Sequence, residues 1–401
     1  MNGKLALAFL GHGWEVEAIS LPNENRAVAS KQKDNSFWNP LRGIIHAVPS
    51  RYVKGIPLIL DKIGGTLLTG HLVPGIAWAR YALSESLNLS GGKPFNVILS
   101  RSWPIGAHLP ALIASRKMGI PWIANWNDPD PPVRNPVPYG EGPSAPISYW
   151  LSNYMRSVAT SASCHTFPST RMMDYMTGMY PEMKGKAFVI PHVALSGANT
   201  QTRNGNGRFV LCHAGYLGTR RDPSNLFQAL SIFLSKTKVD ATIKLVLMGN
   251  DYDLQEKFRF SIPSGVSDIV ELYPWSDYTR STDFMKKADV LIIIEAALQD
   301  GIYLPSKLTD YVECGRPILA ISPKNGVISD LVKKYGGGIA ADCTSPEEIA
   351  FALFKMYESW GKGGLEKEYD LSALSTIFSE EAVLSEYLRV FKAIGVSSGR
   401  G

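Results

Sequence analysis

The chain has 401 residues, more than one typical hydrophobic core supports, so two domains are expected. Its 45% hydrophobic and 19% charged residues are ordinary for a soluble globular protein, and a formal charge of +5 without any basic run excludes nucleic acid as a partner while suiting phosphorylated ligands or an anionic membrane surface. Cys164, Cys212, Cys314 and Cys343 lie far apart with no metal or redox spacing, which fits reduced thiols in a cytoplasmic protein.

At the start of the chain, Lys4 precedes a helical stretch that ends at Gly11-His12-Gly13 without leading to a cleavage site, so no secretory signal is read. A strand, Glu15–Ser20, comes next. The apolar stretch from Ile56 to Leu83 is broken by Asp61, Lys62, His71 and Arg80 and falls short of a membrane span. Overlapping it, Arg51–Tyr81 is apolar, aromatic and basic, which suits either lipid contact or a helical pair over a core. Strands Asn96–Ser100 and Trp122–Trp126 flank an amphipathic stretch, Gly106–Met118, and Phe188–Pro191 closes the first half.

The polar, glycine-rich segment Ser196–Arg208 has no apolar period and reads as a linker, over 195–208. Strand Phe209–Cys212, a helix over Pro223–Leu234, and strands Lys244–Met248, Val290–Ile294 and Ile318–Ser322 follow. Near-continuous apolar strands separated by helices predict parallel sheets covered on both faces, an α/β fold of two Rossmann-like domains. The domains are expected at 1–194 and 209–377. The last helix, over 378–394, is expected to pack back on the first.

The richest stretch is GIYLPSKLTDYVECGRPILA, residues 301–320. Pro305 suits a first helical turn and Gly315 a helix end, so the loop delivers backbone donors to a helix start, where an anion is welcome. Ser306, Lys307 and Asp310 share one helix face, a hydroxyl, an ammonium and a carboxylate suited to a phosphorylated, sugar-like ligand. A capped, solvated helix face accounts for the same residues. In HAGYLGTRRDPSNLFQAL, residues 213–230, Gly215 and Gly218 permit a tight turn. Arg220 and Arg221 are placed to grip a diphosphate, and Asp222 is read as the N-cap of the next helix. Asp128 ends a strand on an Asp-Pro turn, as a cleft residue or a turn former. His108 either touches a ligand or packs. Asp128-Pro129-Asp130 spells an acidic metal-binding triplet, but it lies in a proline-rich loop, and no metal and no cofactor are read.

GYLGTRRDP and GIYLPSKLTDYVECGRPILA, about ninety residues apart in this order, resemble the retaining glycosyltransferases of the GT-B fold. The match is nearest to family 4, in the branch that builds capsular, exopolysaccharide and O-antigen sugars. YPWSDYTRSTDFMKKADVLIII (273–294), HTFPSTRMMDYM (165–176) with FVIPHV (188–193), and NVILSRSWPIGAHLPALIASRKMGIPWIANWNDP (96–129) fit the same pattern.

The resemblance implies two domains facing across a cleft and transfer of a hexosyl unit from a nucleotide-diphospho-sugar, without metal. The acceptor would be a saccharide or lipid-linked saccharide, reached by a peripheral contact at the inner face of the plasma membrane. Asp310 would accept hydrogen bonds from the ribose. Gly215, Arg220, Arg221, Pro305, Ser306 and Lys307 would hold the diphosphate. Gly249, Tyr273 and Trp275 would lie near the base, and Trp103 and His108 near the acceptor. Asp128, Arg220 and Lys307 would be the catalytic set. Ile302 stands where many members carry glutamate, as in a Pro-Ser-Lys subgroup. A non-catalytic nucleotide-sugar-binding partner and a sugar-nucleotide epimerase are the rival readings. The opening MNGKLALAFLGHGWEVEAIS resembles the family's first helix and second strand, so the first strand of the N-terminal domain is expected to be missing. A start at an internal methionine or a degenerate relative would each explain that.

Overall fold

The computed structural model describes residues 2–21, 36, 39–48, 56–73, 76–92, 95–102, 105–195, 207–218, 220–237, 243–250 and 261–396. The chain divides into two compact units, one of His192–Ala382 and the other of 2–191 (34–36 apart) with the chain from Val383 onward.

In the N-terminal unit, strands β1 (Ala18–Ser20) and β2 (Ile45–Ala47) form a parallel pair. Strands β3 (Ile98–Arg101), β4 (Trp122–Asn125), β5 (Cys164–Phe167) and β6 (Ala187–Val189) form a second, four-stranded parallel sheet in that order. Among the described residues the two sheets are not joined. In a doubly wound order β1 and β2 stand as second and third strands and β3 as the fourth, so the break falls where such a sheet carries its first strand.

The helices of this unit are α1 (Asn2–Gly11), α2 (Ile56–Thr69), α3 (Ile76–Gly92), α4 (His108–Met118), α5 (Tyr149–Ser161) and α6 (Thr170–Met179). Ser148 and Ser169 cap α5 and α6 by accepting from the backbone N–H of Leu151 and Met172. The final helix, Glu380–Ala393, belongs to the same unit from Val383 onward. Its Tyr387 and Phe391 rings lie 5.3 and 6.2 Å from Phe9 of α1.

The second unit carries β7 (Phe209–Ala214), β8 (Ile243–Asn250), β9 (Val270–Pro274), β10 (Val290–Ile294), β11 (Ile318–Ser322) and β12 (Gly338–Asp342). All pair in parallel, in the order β12-β11-β10-β7-β8-β9. Renumbered within the unit this is the doubly wound order 3-2-1-4-5-6, which reverses direction between β7 and β10.

Every residue of β10 and β11 is buried, and successive side chains serve opposite layers. Val290, Ile292 and Ile294 pack in one cluster with Leu226, Phe227 and Phe233 of α7 (Ser224–Lys236) and with Leu353 and Met356 of the helix Pro346–Gly361. Leu291 and Ile293 pack in the other with Leu308, Tyr311 and Val312. Each such side chain contributes roughly 1.5–3 kcal/mol of burial, which fixes the helices on both faces of the sheet.

The strands read from the sequence all form, with shifts of a few residues at their ends. Four more appear: β2, β5, β9 and β12. Two local readings change. Helix α7 begins at Ser224, so Asp222 precedes the cap position, although its Oδ1 still accepts from the Ser224 backbone N–H at 2.9 Å. The helix after Pro305 begins at Lys307 and ends at Cys314, with Gly315 in the left-handed conformation at φ 65°.

Candidate functional site

Ligands of doubly wound sheets bind outside the carboxyl ends of the strands at the point where the order reverses. In the second unit that point lies between the ends of β7 and β10. Strand β7 runs out through His213 and Ala214 into Gly215, whose N–H donates to Met248 O at 2.7 Å. Gly215 has φ +148°, and a Cβ built there would stand 1.5 Å from Lys307 Nζ. Gly249, at the end of β8, has φ +112°, and a Cβ there would lie 2.9 Å from the Gly215 backbone. Two glycines are therefore required for the backbones of β7 and β8 to meet and for the Lys307 amine to lie on them.

Lys307 opens the helix Lys307–Cys314. Burial, with the Arg221 charge adding to it and Asp310 opposing, lowers its pKa to about 7. The helix is anchored by Tyr311, whose buried hydroxyl donates to Ile292 O at 2.9 Å and accepts from Ala214 N–H at 3.3 Å. His213 Nδ1 is 2.8 Å from the same carbonyl, and its buried Nε2 has no partner among the described residues. Burial and the Lys307 charge hold its pKa well below the usual imidazole range, so the ring is neutral beside the lysine. Asp310 lies one turn along the helix and accepts from Tyr278 OH at 3.4 Å; Tyr278 OH also donates to Glu313 at 2.8 Å.

The structure separates the two arginines. Arg221 is half-buried and its charge acts on Lys307, His213 and Glu295, whereas Arg220 is exposed. Ser306 is exposed at the helix start, with Pro305 half-buried before it. Tyr273 donates to Glu271 at 2.7 Å and packs on Phe284 with ring centroids 4.9 Å apart; Trp275, just beyond β9, is half-buried.

Glu295 is the residue that sequence reasoning missed. It follows β10 directly, is 6% exposed, and its N–H donates to Ile321 O. Burial pushes its carboxyl up to about 7, against the pull of Arg221. Its position, one residue past the strand at the reversal point, was the available signal.

In the N-terminal unit the carboxyl ends of β3 and β4 carry the remaining candidates. His108 is 1% exposed, its Nδ1 lies 2.7 Å from Ser100 Oγ, and its ring lies 4.3 Å from that of Trp126. Ser100 Oγ accepts from Trp122 Nε1 at 2.7 Å. Burial, with His165 adding to it, lowers the His108 pKa to about 3, so the imidazole packs as a neutral core group. Asp128 is exposed after β4. Asp130 is 1% exposed with neither carboxyl oxygen partnered among the described residues, and burial with the Asp128 charge raises its pKa to about 7. Arg101 donates to Asn127 Oδ1 at 3.1 Å. Trp103 lies outside the described residues.

These two parallel α/β units define the class: the fold is that of the GT-B glycosyltransferases, with two Rossmann-like domains. Solved structures similar to the chain include a glycosyltransferase from Rickettsia africae (11% identity, 99% of this chain and 94% of that one, TM-score 0.65). Sucrose-phosphate synthase from Thermosynechococcus elongatus is similar at 10% identity over 98% and 92%, TM-score 0.67. Anabaena HepE, in complex with UDP and glucose, is similar at 13% identity over 89% of each chain, TM-score 0.60. No protein-family model matches the sequence, and no curated protein matches it.

Proposed function

We propose that the protein transfers a hexosyl unit from a nucleotide-diphospho-sugar to a saccharide or lipid-linked saccharide, with retention and without a metal ion, in cell-surface polysaccharide synthesis at the inner face of the plasma membrane. The observation that carries this reading is the Lys307 amine laid on Gly215 at the reversal point of the second sheet, with Asp310 one turn along the same helix. A diphosphate meets an ammonium, the guanidinium of Arg221 or Arg220 and the helix start with Ser306, while Asp310 accepts from ribose hydroxyls. Gly249, Tyr273 and Trp275 border the base. The acceptor is assigned to the carboxyl ends of β3 and β4, at Asp128.

Chemistry of this kind needs little covalent help. The acceptor hydroxyl attacks on the face the diphosphate leaves, and the cations stabilise the departing charge. Because HepE holds UDP and glucose, UDP-sugars are the first donors to try. Thermal stabilisation across a panel of UDP-, GDP- and other nucleotide sugars identifies the donor. Asp310→Ala and Lys307→Ala should each weaken its binding with the fold intact, and binding equal to the parent's in both variants would refute the site. Tight donor binding with no transfer to any saccharide would instead favour a non-catalytic binding partner.

A further inference from the structure

One helix of the N-terminal unit turns a set of large aliphatic side chains to solvent. On α2, Ile59, Leu60, Ile63 and Leu67 are 57%, 61%, 51% and 82% exposed. At 100° per residue these four positions fall within one arc of about 100°, a continuous aliphatic stripe. Toward α3, α2 presents Gly64 and Gly65. A Cβ on Gly65 would lie 2.8 Å from Ile76 Cγ1, and one on Gly64 3.2 Å from an Arg80 guanidinium nitrogen. Thr69 is buried, with its hydroxyl donating to Gly65 O at 2.8 Å. Glycines thus let α2 lie close against α3 while Ile59, Leu60, Ile63 and Leu67 face solvent.

The stripe runs at its C-terminal end into a cationic pocket. Gly70 and His71, directly after α2, line a cavity of about 450 Å³ together with Arg116 at the end of α4 and Trp150, Asn153, Arg156 and Ser157 of α5. Arg116 donates to Ser161 Oγ at 2.7 Å and meets no carboxylate among the described residues. Arg156 lies 3.4 Å from Glu182. His71 has its pKa lowered by burial and then by the Arg116 charge, which reaches it from the same lining. At the rim, Tyr149 and Trp150 are 73% and 53% exposed, Leu72 is 42% exposed after α2, and Lys62 is exposed beside the stripe.

We propose that the α2 stripe and the Arg116 pocket form a single docking face for an anionic lipid surface, the aliphatic side chains entering the acyl boundary and the pocket taking a phosphodiester headgroup. Charge complementarity selects this occupant: an aliphatic stripe, exposed aromatic residues with polar edges and an unneutralised arginine are the three chemistries met in sequence on crossing from acyl chain to phosphate. The inference deepens the proposed function by naming the face that would bring the chain to a lipid-linked acceptor, and it depends on that reading only for its use.

The test is sedimentation of the full chain with vesicles of phosphatidylcholine alone or mixed with phosphatidylglycerol, with UDP binding and the thermal midpoint measured in parallel. The parent should favour the anionic vesicles by about ten-fold or more. Ile63→Glu with Leu67→Glu should weaken that binding by about ten-fold or more, because exposed leucine and isoleucine lose their apolar destination. Arg116→Gln should weaken it about five-fold, with little change on neutral vesicles. Both variants should melt close to the parent, since the aliphatic side chains are exposed and Arg116 gives up only one exposed hydrogen bond, to Ser161. No vesicle binding by the parent, equal binding by the double-glutamate variant, saturation by inorganic phosphate without vesicle binding, or a lipid-independent dimer abolished by the same variant would each overturn the proposal. Loss of UDP binding with vesicle binding intact would overturn the donor reading alone.

Discussion

Lys307 is expected to make nucleotide binding depend on pH in a way that one substitution removes. Its amine titrates at about 7 because burial against Gly215 and the Arg221 charge both disfavour the ammonium. A bound diphosphate stabilises the ammonium, so binding above pH 7 must take up one proton. Each unit of pH above 7 then lowers affinity about ten-fold, and two units about 100-fold. Isothermal titration with UDP between about pH 7.5 and 8.5 isolates this effect, because a terminal phosphate with a second pKa near 6 is already ionised there and the uracil N3–H still keeps its proton. Lys307→Met removes both the charge and the titration. Its affinity should lie below the parent's near pH 7.5 and stay level, so that the two curves converge as pH rises. Repetition in two buffers of different ionisation enthalpy should show about one proton taken up by the parent and none by the variant. A constant gap between the curves across the range would refute the placement of this amine on the diphosphate.

Gly215→Ala should mimic the loss of Lys307, since its Cβ would occupy the space 1.5 Å from Nζ at a φ of +148° that alanine tolerates poorly; UDP binding like the parent's would show that the amine does not lie on that turn when ligand is bound. Asp310→Ala should cost about ten-fold in affinity for UDP and less for 2′-deoxy-UDP, and equal losses for the two would remove Asp310 from the ribose. In the N-terminal unit, Asp130 has its carboxyl raised from 3.8 to about 7, so the folded state holds a proton that the unfolded state releases between these values. Stability is therefore greatest below about pH 4 on this account and falls as pH climbs to 7. Asp130→Asn should be more stable than the parent by about 4 kcal/mol at pH 8 and nearly equal to it at pH 4, measured by urea unfolding. No gain at pH 8 would mean that the carboxylate is solvated or paired.

What the sequence made legible was set by how locally each feature is determined. β10 and β11 are VLIII and ILAIS, buried on both sides, and their apolar runs announce parallel strands between helices. Gly315 ends its helix in a conformation that glycine favours, so that boundary was readable to the residue. The strands that escaped are IHA, CHTF, VELYP and GIAAD: short, mixed in polarity, and defined by the neighbours they pair with rather than by their own pattern. The same division runs through the site. The glycines, Lys307 and Asp310 stand in turns and helix starts with local signatures. Glu295 does not, because its burial comes from β11, whose carbonyl takes its N–H, and its electrostatics from Arg221, seventy-odd residues earlier in the chain.

His108 shows the limit from the other side: the sequence marks it as a candidate by its place after β3 at the start of a helix, but not that Ser100 of β3 and Trp126, just past β4, pack around its ring. The reversal of strand order is the link between these cases. Once 3-2-1-4-5-6 is known, the ends of β7 and β10 become the one place in that sheet where two adjacent loops part to opposite faces. An ionisable residue at the carboxyl end of either strand then has a reason to matter. His213 and Glu295 both meet that condition, both are buried, and both feel the charge of Arg221. A sequence pattern identifies the lysine that a diphosphate would meet; the order of strands adds that the arginine acting on that lysine also acts on His213 and Glu295, one on each side of the reversal.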